Sequence, residues 1–319
     1  VRTAYITHSD CHDHDTGAAH PESAQRLSAI EDSFIEHRLW DFLKSVDAPE
    51  VTREQLLRVH TPRHLENIEA MMPQTGYVRL DQDTVISPGS LQAAKRAAGA
   101  VIKAVDLLMD GTLDSAFCGV RPPGHHAESD RALGFCLYNN IAVGAAYAMD
   151  VHGLEKIAIL DFDVHQGNGT EDIFIGDDRV LYCSIFQHPF FPFTPPPENS
   201  ERVISIPLDA TAKSAQFRMA VFDNWLPALE HFKPEMIFVS AGFDAHQDDE
   251  MSHVSLTDGD FRWVAEQIVE VAGRHASNRV ISVLEGGYEV HSLARCVETH
   301  IRVLMGLQPA SEYFNPFVP

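Results

Sequence analysis

The chain has 319 residues, 45% hydrophobic and 22% charged, the balance of an ordinary globular protein. Its 46 acidic and 24 basic side chains leave a formal charge of −22, which argues against a binder of nucleic acid, whose affinity rests on clustered Lys and Arg. No apolar run approaches the ~20 residues of a membrane span, and the opening VRTAYITHSD lacks the apolar core of a signal peptide. A cytoplasmic protein with no membrane partner is expected. The five cysteines (Cys11, Cys118, Cys136, Cys183, Cys296) form no CxxC pair and read as reduced, buried thiols.

In chain order, short runs rich in Val and Ile recur: TAYIT, SAFCGV, KIAILDFDV, RVLYCSIF, RVISIPL, MIFVSAGF and RVISVLEGGY. They are mostly continuous rather than alternating, as strands buried on both faces of a parallel sheet are. Helices are predicted between them at 90–110, 139–150, 214–231, 257–276 and 290–306. The first is the clearest. Leu91, Ala94, Ala98, Val101, Ile102, Val105 and Leu108 form one stripe, with Ser90 as N-cap and Gly111 as the glycine that ends it. Alternating strands and helices predict one α/β domain over 1–319, with a central, mostly parallel sheet flanked by helices. HPFFPFTPPPENSE reads as a shaped loop.

Polar clusters follow the strand-like runs: RPPGHH, DFDVHQGNG, GFDAHQDD and EGGY. Ligand sites of open parallel sheets gather beyond the carboxyl ends of strands, so four such clusters predict a site. In an extended strand Asp161, Asp163 and His165 share one face. Buried carboxylates need a partner or a metal. Asp163 and His165 with Asp244 make a three-ligand set that leaves a coordination position open, the pattern of catalytic zinc; the alternative is an ion-pair network. Two carboxylate ligands weaken a divalent ion as an electrophile, so the site needs help. His125 and His126 are candidate base and acid, Asp161 could fix one imidazole's tautomer, and the Tyr288 phenol could donate to a developing oxyanion.

RPPGHHA, GFCLYNNIAVGA, ILDFDVHQGNGT, FFPFT, SAGFDAHQDD and LEGGY occur in an order and spacing that resemble the histone deacetylase family. HPESAQRL near the start is similar to its bacterial class II-like members. The resemblance implies the arginase–deacetylase fold and zinc-dependent hydrolysis of an N-acyl amine. It implies Asp163, His165 and Asp244 as ligands of one Zn²⁺, His125 and His126 as the tandem histidines with His126 as base, and Tyr288 polarising the carbonyl. It also implies an acyl-lysine channel walled by Phe135 and Phe191 beside Gly134, with Asp83 at the rim and Met251 as gatekeeper. A structural K⁺ is implied at Asp161, Asp163, His165, Ser184 and Ile185.

The chain departs from the family pattern in three places. Asn168 stands where class I members carry an aspartate. Phe193 replaces a common glycine and is expected to narrow the mouth. Glu250 replaces a frequent proline before Met251, one position away from the acidic gatekeeper of polyamine-selective relatives. The expected activity is removal of acetyl or another short acyl group from acyl-lysine. The alternatives are an acetylpolyamine amidohydrolase, a silent acyl-lysine binding module and an arginase-like two-metal hydrolase. Oligomeric state, a homo-oligomer included, is left open.

Overall fold

The computed structural model describes residues 1–307; the last dozen positions of the expected 1–319 domain lie outside the described residues. Ten strands, in chain order, are β1 (Thr3–Thr7), β2 (Lys44–Asp47), β3 (Val78–Arg79), β4 (Val85–Ile86), β5 (Ser115–Cys118), β6 (Ile157–Asp161), β7 (Val180–Gln187), β8 (Val203–Leu208), β9 (Met236–Ala241) and β10 (Val280–Leu284). The helices are α1 (Gln25–Glu36), α2 (Arg53–Leu56), α3 (Pro62–Met71), α4 (Ser90–Met109), α5 (Asn140–His152), α6 (Asn168–Phe174), α7 (Ser214–Ala220), α8 (Leu226–Phe232), α9 (Asp258–His275) and α10 (Val290–Leu304).

Eight strands form one sheet in the order β2-β1-β5-β10-β9-β6-β7-β8, and every neighbouring pair is parallel. β5, β6, β7, β9 and β10 are buried at every residue, which is why their sequences are continuously apolar. The only other sheet among the described residues is the two-stranded antiparallel β3–β4 hairpin. The strands that feed the four polar clusters are β5, β10, β9 and β6, the four adjacent strands at the centre of the sheet. Parallel pairing puts all their carboxyl ends on one edge, so four clusters far apart in sequence meet there.

The sequence-based elements omit the β3–β4 hairpin, α2 and α6 and need four further corrections. β2 (KSVD) is a mostly exposed edge strand, without the apolar run that marks the others. α1 and α3, with Leu27, Ile30 and Phe34 or Leu65 and Ile68 buried, precede the first predicted helix. The span 214–231 is not one helix. α7 and α8 are joined by a π turn over Val221–Trp225, with a proline at the start of α8. Ser90 is the first helical residue rather than the N-cap, which is Gly89. The Ser90 hydroxyl instead accepts the Ser87 N–H at 2.8 Å and meets His14 Nδ1 at 2.7 Å. Gly111 ends α4 as expected, with φ +74°.

Candidate active site

Asp161, Asp163 and His165 do not share one extended face. β6 ends at Asp161, and the next residues bend. Each aspartate folds back onto the amide two residues ahead: Asp161 Oδ1 accepts the Asp163 N–H (3.1 Å) and Asp163 Oδ1 the His165 N–H (2.9 Å). Such side-chain turns compete with strand hydrogen bonding. The bend separates Asp161 from the other two and turns Asp163 and His165 toward Asp244, just past β9.

His165 Nδ1 lies 3.1 Å from both Asp163 Oδ1 and Asp244 Oδ2. All three residues are buried, and one ligand atom from each lies within 4.8 Å of the others. The remaining carboxylate oxygens are held by backbone: Asp163 Oδ2 accepts the Gly286 N–H (2.8 Å) and Asp244 Oδ1 the Val164 N–H (3.0 Å). Gly286 must be glycine, because a Cβ there would overlap both carboxylates. Burial and the neighbouring Asp163 carboxylate push Asp244 upward. Burial would depress the His165 imidazole, yet the two carboxylates raise it above its ordinary range. Two buried carboxylates on one imidazole demand further positive charge, and the donor set fits zinc.

The tandem histidines sit in the loop after β5 and differ sharply in environment. His125 Nδ1 meets Asp161 Oδ2 at 3.0 Å, as the sequence suggested. Burial opposes its charge, but Asp161, Asp163 and Glu285 together hold the imidazole well above its usual value. His126 Nδ1 meets Asn168 Oδ1 at 2.8 Å. Burial, then the His125 and His165 rings, push it well below. The Asn168 amide donates to Glu128 Oε1 (2.8 Å), which fixes its oxygen toward His126. His126 therefore carries its proton on Nδ1 and presents a bare Nε2.

One cavity of about 820 Å³ reaches this floor, lined by His125, His126, His165, Gly286 and Tyr288 and walled by Phe135, Phe190, Phe191 and Met251, with Asp83 farther out. Phe191 stands edge-on to His126 (5.1 Å between ring centres) and Phe135 edge-on to Tyr288 (5.9 Å). Gly134 passes close beneath Phe191 and His126, where a Cβ would collide with the His126 ring, and its φ is +54°. Phe193 does not line the cavity; it is 74% exposed with φ +61°. A left-handed backbone turns its side chain outward, so the mouth is not narrowed. Glu250 is exposed and lies outside the lining, whereas Met251 is within it. Behind the floor, β6–β7 register sets Asp161 opposite Ser184, next to Ile185. Ser184 Oγ is buried without a hydrogen-bond partner, so a monovalent cation fits there.

Residues the sequence did not mark complete the site. Arg26 lies 5.0 Å over the Tyr288 ring and donates to the carbonyls of Gly287 (2.6 Å) and Glu285. Asp249 accepts the N–H groups of Tyr288 (2.6 Å), Glu289 (3.1 Å) and Met251 (2.9 Å), tying the EGGY turn to the cavity wall at Met251. Phe190 stacks on His165 at 5.3 Å. Its place in FFPFT was the available signal for it. Arg26 falls within HPESAQRL and Asp249 ends SAGFDAHQDD, so those motifs were the available signal, but only the fold shows what each side chain holds. A second cluster, His246, Asp258 and Cys296, is a hydrogen-bonded triad. The Asp248 N–H points at His246 Nδ1 (3.1 Å), so Nε2 carries the proton that faces Asp258.

The histone deacetylase domain model matches residues 20–304. The chain is 37% identical to a histone deacetylase-like amidohydrolase of Pseudomonas aeruginosa, over 92% of this chain and 78% of that protein. It is 33% identical to a probable deacetylase of Archaeoglobus fulgidus, covering 90% and 82%. Type-2 histone deacetylase 2 of Dictyostelium discoideum is 33% identical over 95% of this chain, which spans only 21% of that longer protein. Among solved structures, the HDA15 HD domain superposes with a TM-score of 0.90 at 30% identity, covering 97% of this chain and 91% of that one. The eight-stranded parallel sheet is the arginase–deacetylase fold, and the chain belongs to the histone deacetylase family of amide hydrolases.

Proposed function

We propose that this chain is a zinc-dependent deacylase that releases acetyl or another short acyl group from the side-chain amine of acyl-lysine. The observation that carries this reading is the convergence of Asp163, His165 and Asp244 at the floor of a cavity walled by Phe135 and Phe191. Bound by those three residues, zinc supplies Lewis-acid polarisation of the acyl carbonyl and favours ionisation of water. The aromatic walls flank the methylene stem and planar amide. Tyr288 donates a hydrogen bond to the carbonyl oxygen as it gains charge. His126, neutral with a bare Nε2, takes the proton from the attacking water. His125, held as imidazolium against Asp161, gives a proton to the departing amine. Asp161 and Ser184, with backbone oxygens of Asp163, His165 and Ile185, would hold a structural potassium ion.

The mouth favours acyl-lysine over acetylpolyamine. Burying a second ammonium group costs much without a facing carboxylate, and the gatekeeper position is the apolar Met251. A full ligand set with Tyr288 favours a catalyst over a silent binding module. The two-metal reading has no support in the His246 triad, which shares no ligand with the first set. The test compares kcat/KM of the zinc-loaded protein for an acetyl-lysine peptide and for N8-acetylspermidine, with metal content measured in parallel. The peptide is expected to be hydrolysed better, and Asp163→Ala or Asp244→Ala to lose zinc and activity together. No turnover of either amide by a zinc-replete protein would overturn the reading, and a tenfold preference for the polyamine would overturn the substrate assignment.

A further inference from the structure

The cavity is larger than an acyl-lysine stem needs: about 820 Å³ is room for a drug-sized molecule. Its outer part lies between the 16–21 segment and the β3–β4 hairpin. Among the described residues that line the cavity, Arg79 is the only Lys or Arg and Asp83 the only carboxylate. Both come from the hairpin, yet they form no ion pair with each other. Arg79 forms none with any other carboxylate among the described residues, although acids outnumber bases almost two to one in this chain.

Arg79 is nonetheless held in place. Its Nη1 donates to the Gln82 carbonyl at 2.7 Å, which leaves the Nε–Nη2 edge for a bidentate acceptor. The hairpin that carries it is fastened at both ends. The Tyr77 hydroxyl donates to Asp15 Oδ2 (2.7 Å). His20, whose Nδ1 accepts the Glu22 N–H (3.1 Å), donates its Nε2–H to the Asp83 carbonyl (3.0 Å). Thr84 Oγ1 accepts the N–H of the wall residue Phe135 at 3.0 Å. The guanidinium is thus placed relative to the channel wall rather than carried on a loose arm.

Resting on the deacylase reading, we propose that Arg79 is a specificity-determining residue that binds a carboxylate of the substrate beside the acylated lysine. The carboxylate belongs to an acidic neighbouring side chain or to the free α-carboxyl of acyl-lysine itself. In this arrangement Asp83 faces backbone N–H donors of the substrate, and the uncommitted guanidinium rejects cationic neighbours. A partly exposed charge pair of this kind changes rates modestly and loses strength with salt.

The test uses zinc-loaded protein and acetyl-lysine peptides that differ at one neighbour (Glu, Gln or Lys), with acetyl-lysine carrying a free or an amidated α-carboxyl as a second arm. The parent is expected to favour the Glu peptide, or the free carboxyl in the second arm, by about three- to tenfold in kcat/KM over its neutral counterpart. That ratio should fall to about one in Arg79→Gln, reverse toward the Lys peptide in Arg79→Glu, and shrink in the parent at high salt. Whichever arm responds identifies the source of the carboxylate. Hydrolysis of every amide at ratios that the Arg79 substitutions leave untouched would overturn the assignment alone. Hydrolysis of none would overturn the deacylase reading and the assignment with it.

Discussion

Tyr288 and Asn168 carry the residue-scale expectations. Burial, with the Asp244 carboxylate adding to it, holds the Tyr288 phenol well above its ordinary range despite the Arg26 guanidinium over its ring. It therefore remains a hydrogen-bond donor at any working pH. Tyr288→Phe is expected to keep its metal and lose about 10²–10³ in kcat, the cost of one oxyanion donor. A kcat within a few-fold of the parent at unchanged metal content would make Tyr288 a packing residue. Burial and the His125 and His165 rings keep His126 neutral, and the Asn168 amide oxygen accepts its Nδ1 proton without adding a negative charge to oppose them. Asn168→Asp would stabilise the imidazolium and raise the pKa of the base. The acidic limb of kcat/KM against pH should then move to higher pH, and a limb that stayed put or moved down would remove His126 from the role of base.

At the scale of elements, the position of each group on the sheet edge depends on how helices pack over it. α4 is the longest helix, and its apolar stripe was readable from the sequence. What the stripe does not reveal is that Gly99 faces the chain at Pro49–Val51, so closely that a Cβ would overlap the Pro49 carbonyl. Inside an ordinary helix Gly→Ala stabilises by about 1 kcal/mol. Here Gly99→Ala is expected to destabilise, by about 1–3 kcal/mol, because backbone rather than a flexible side chain must move. A higher urea midpoint for the alanine variant would show that this contact yields freely. The bend after β6 teaches a similar lesson. Alternation along DFDVH suggested one shared face, but the two aspartates turn the chain before that pattern can operate.

For the whole molecule, buried histidines couple the fold to pH. His60 donates from Nδ1 to the Glu128 carbonyl (3.0 Å) and accepts the Asn139 N–H at Nε2 (2.9 Å), a pairing only the neutral ring can make. Burial and then His64 lower it to about 3, and burial alone lowers His300 to about 4. In the unfolded chain both titrate near 6.5. Between those values the unfolded state binds protons that the native state refuses, so stability is full above about pH 6.5 and falls on acidification. From pH 7.5 to 5, His60 alone should cost about 2 kcal/mol. Urea unfolding at the two pH values measures this, and His60→Gln should flatten the slope. An unchanged slope in that variant would mean that His60 is not the proton acceptor.

The sequence by itself determined seven of the main sheet's eight strands, the parallel α/β class and the groups at the site, because buried strands leave continuous apolar runs and the chemistry sits directly after them. Asp163, His165, Asp244, His125, His126 and Tyr288 were all legible for that reason. Only the tertiary structure decided which carboxylate serves which histidine, since that depends on strand order and on a bend set by two local hydrogen bonds. It alone brought Arg79 to the site and showed what Arg26 and Asp249 hold, because a charge in a helix, loop or hairpin carries no sign of its distant partner. The edge strand β2 was missed for a related reason: one solvated edge leaves it without the apolar run that burial imposes on the central strands.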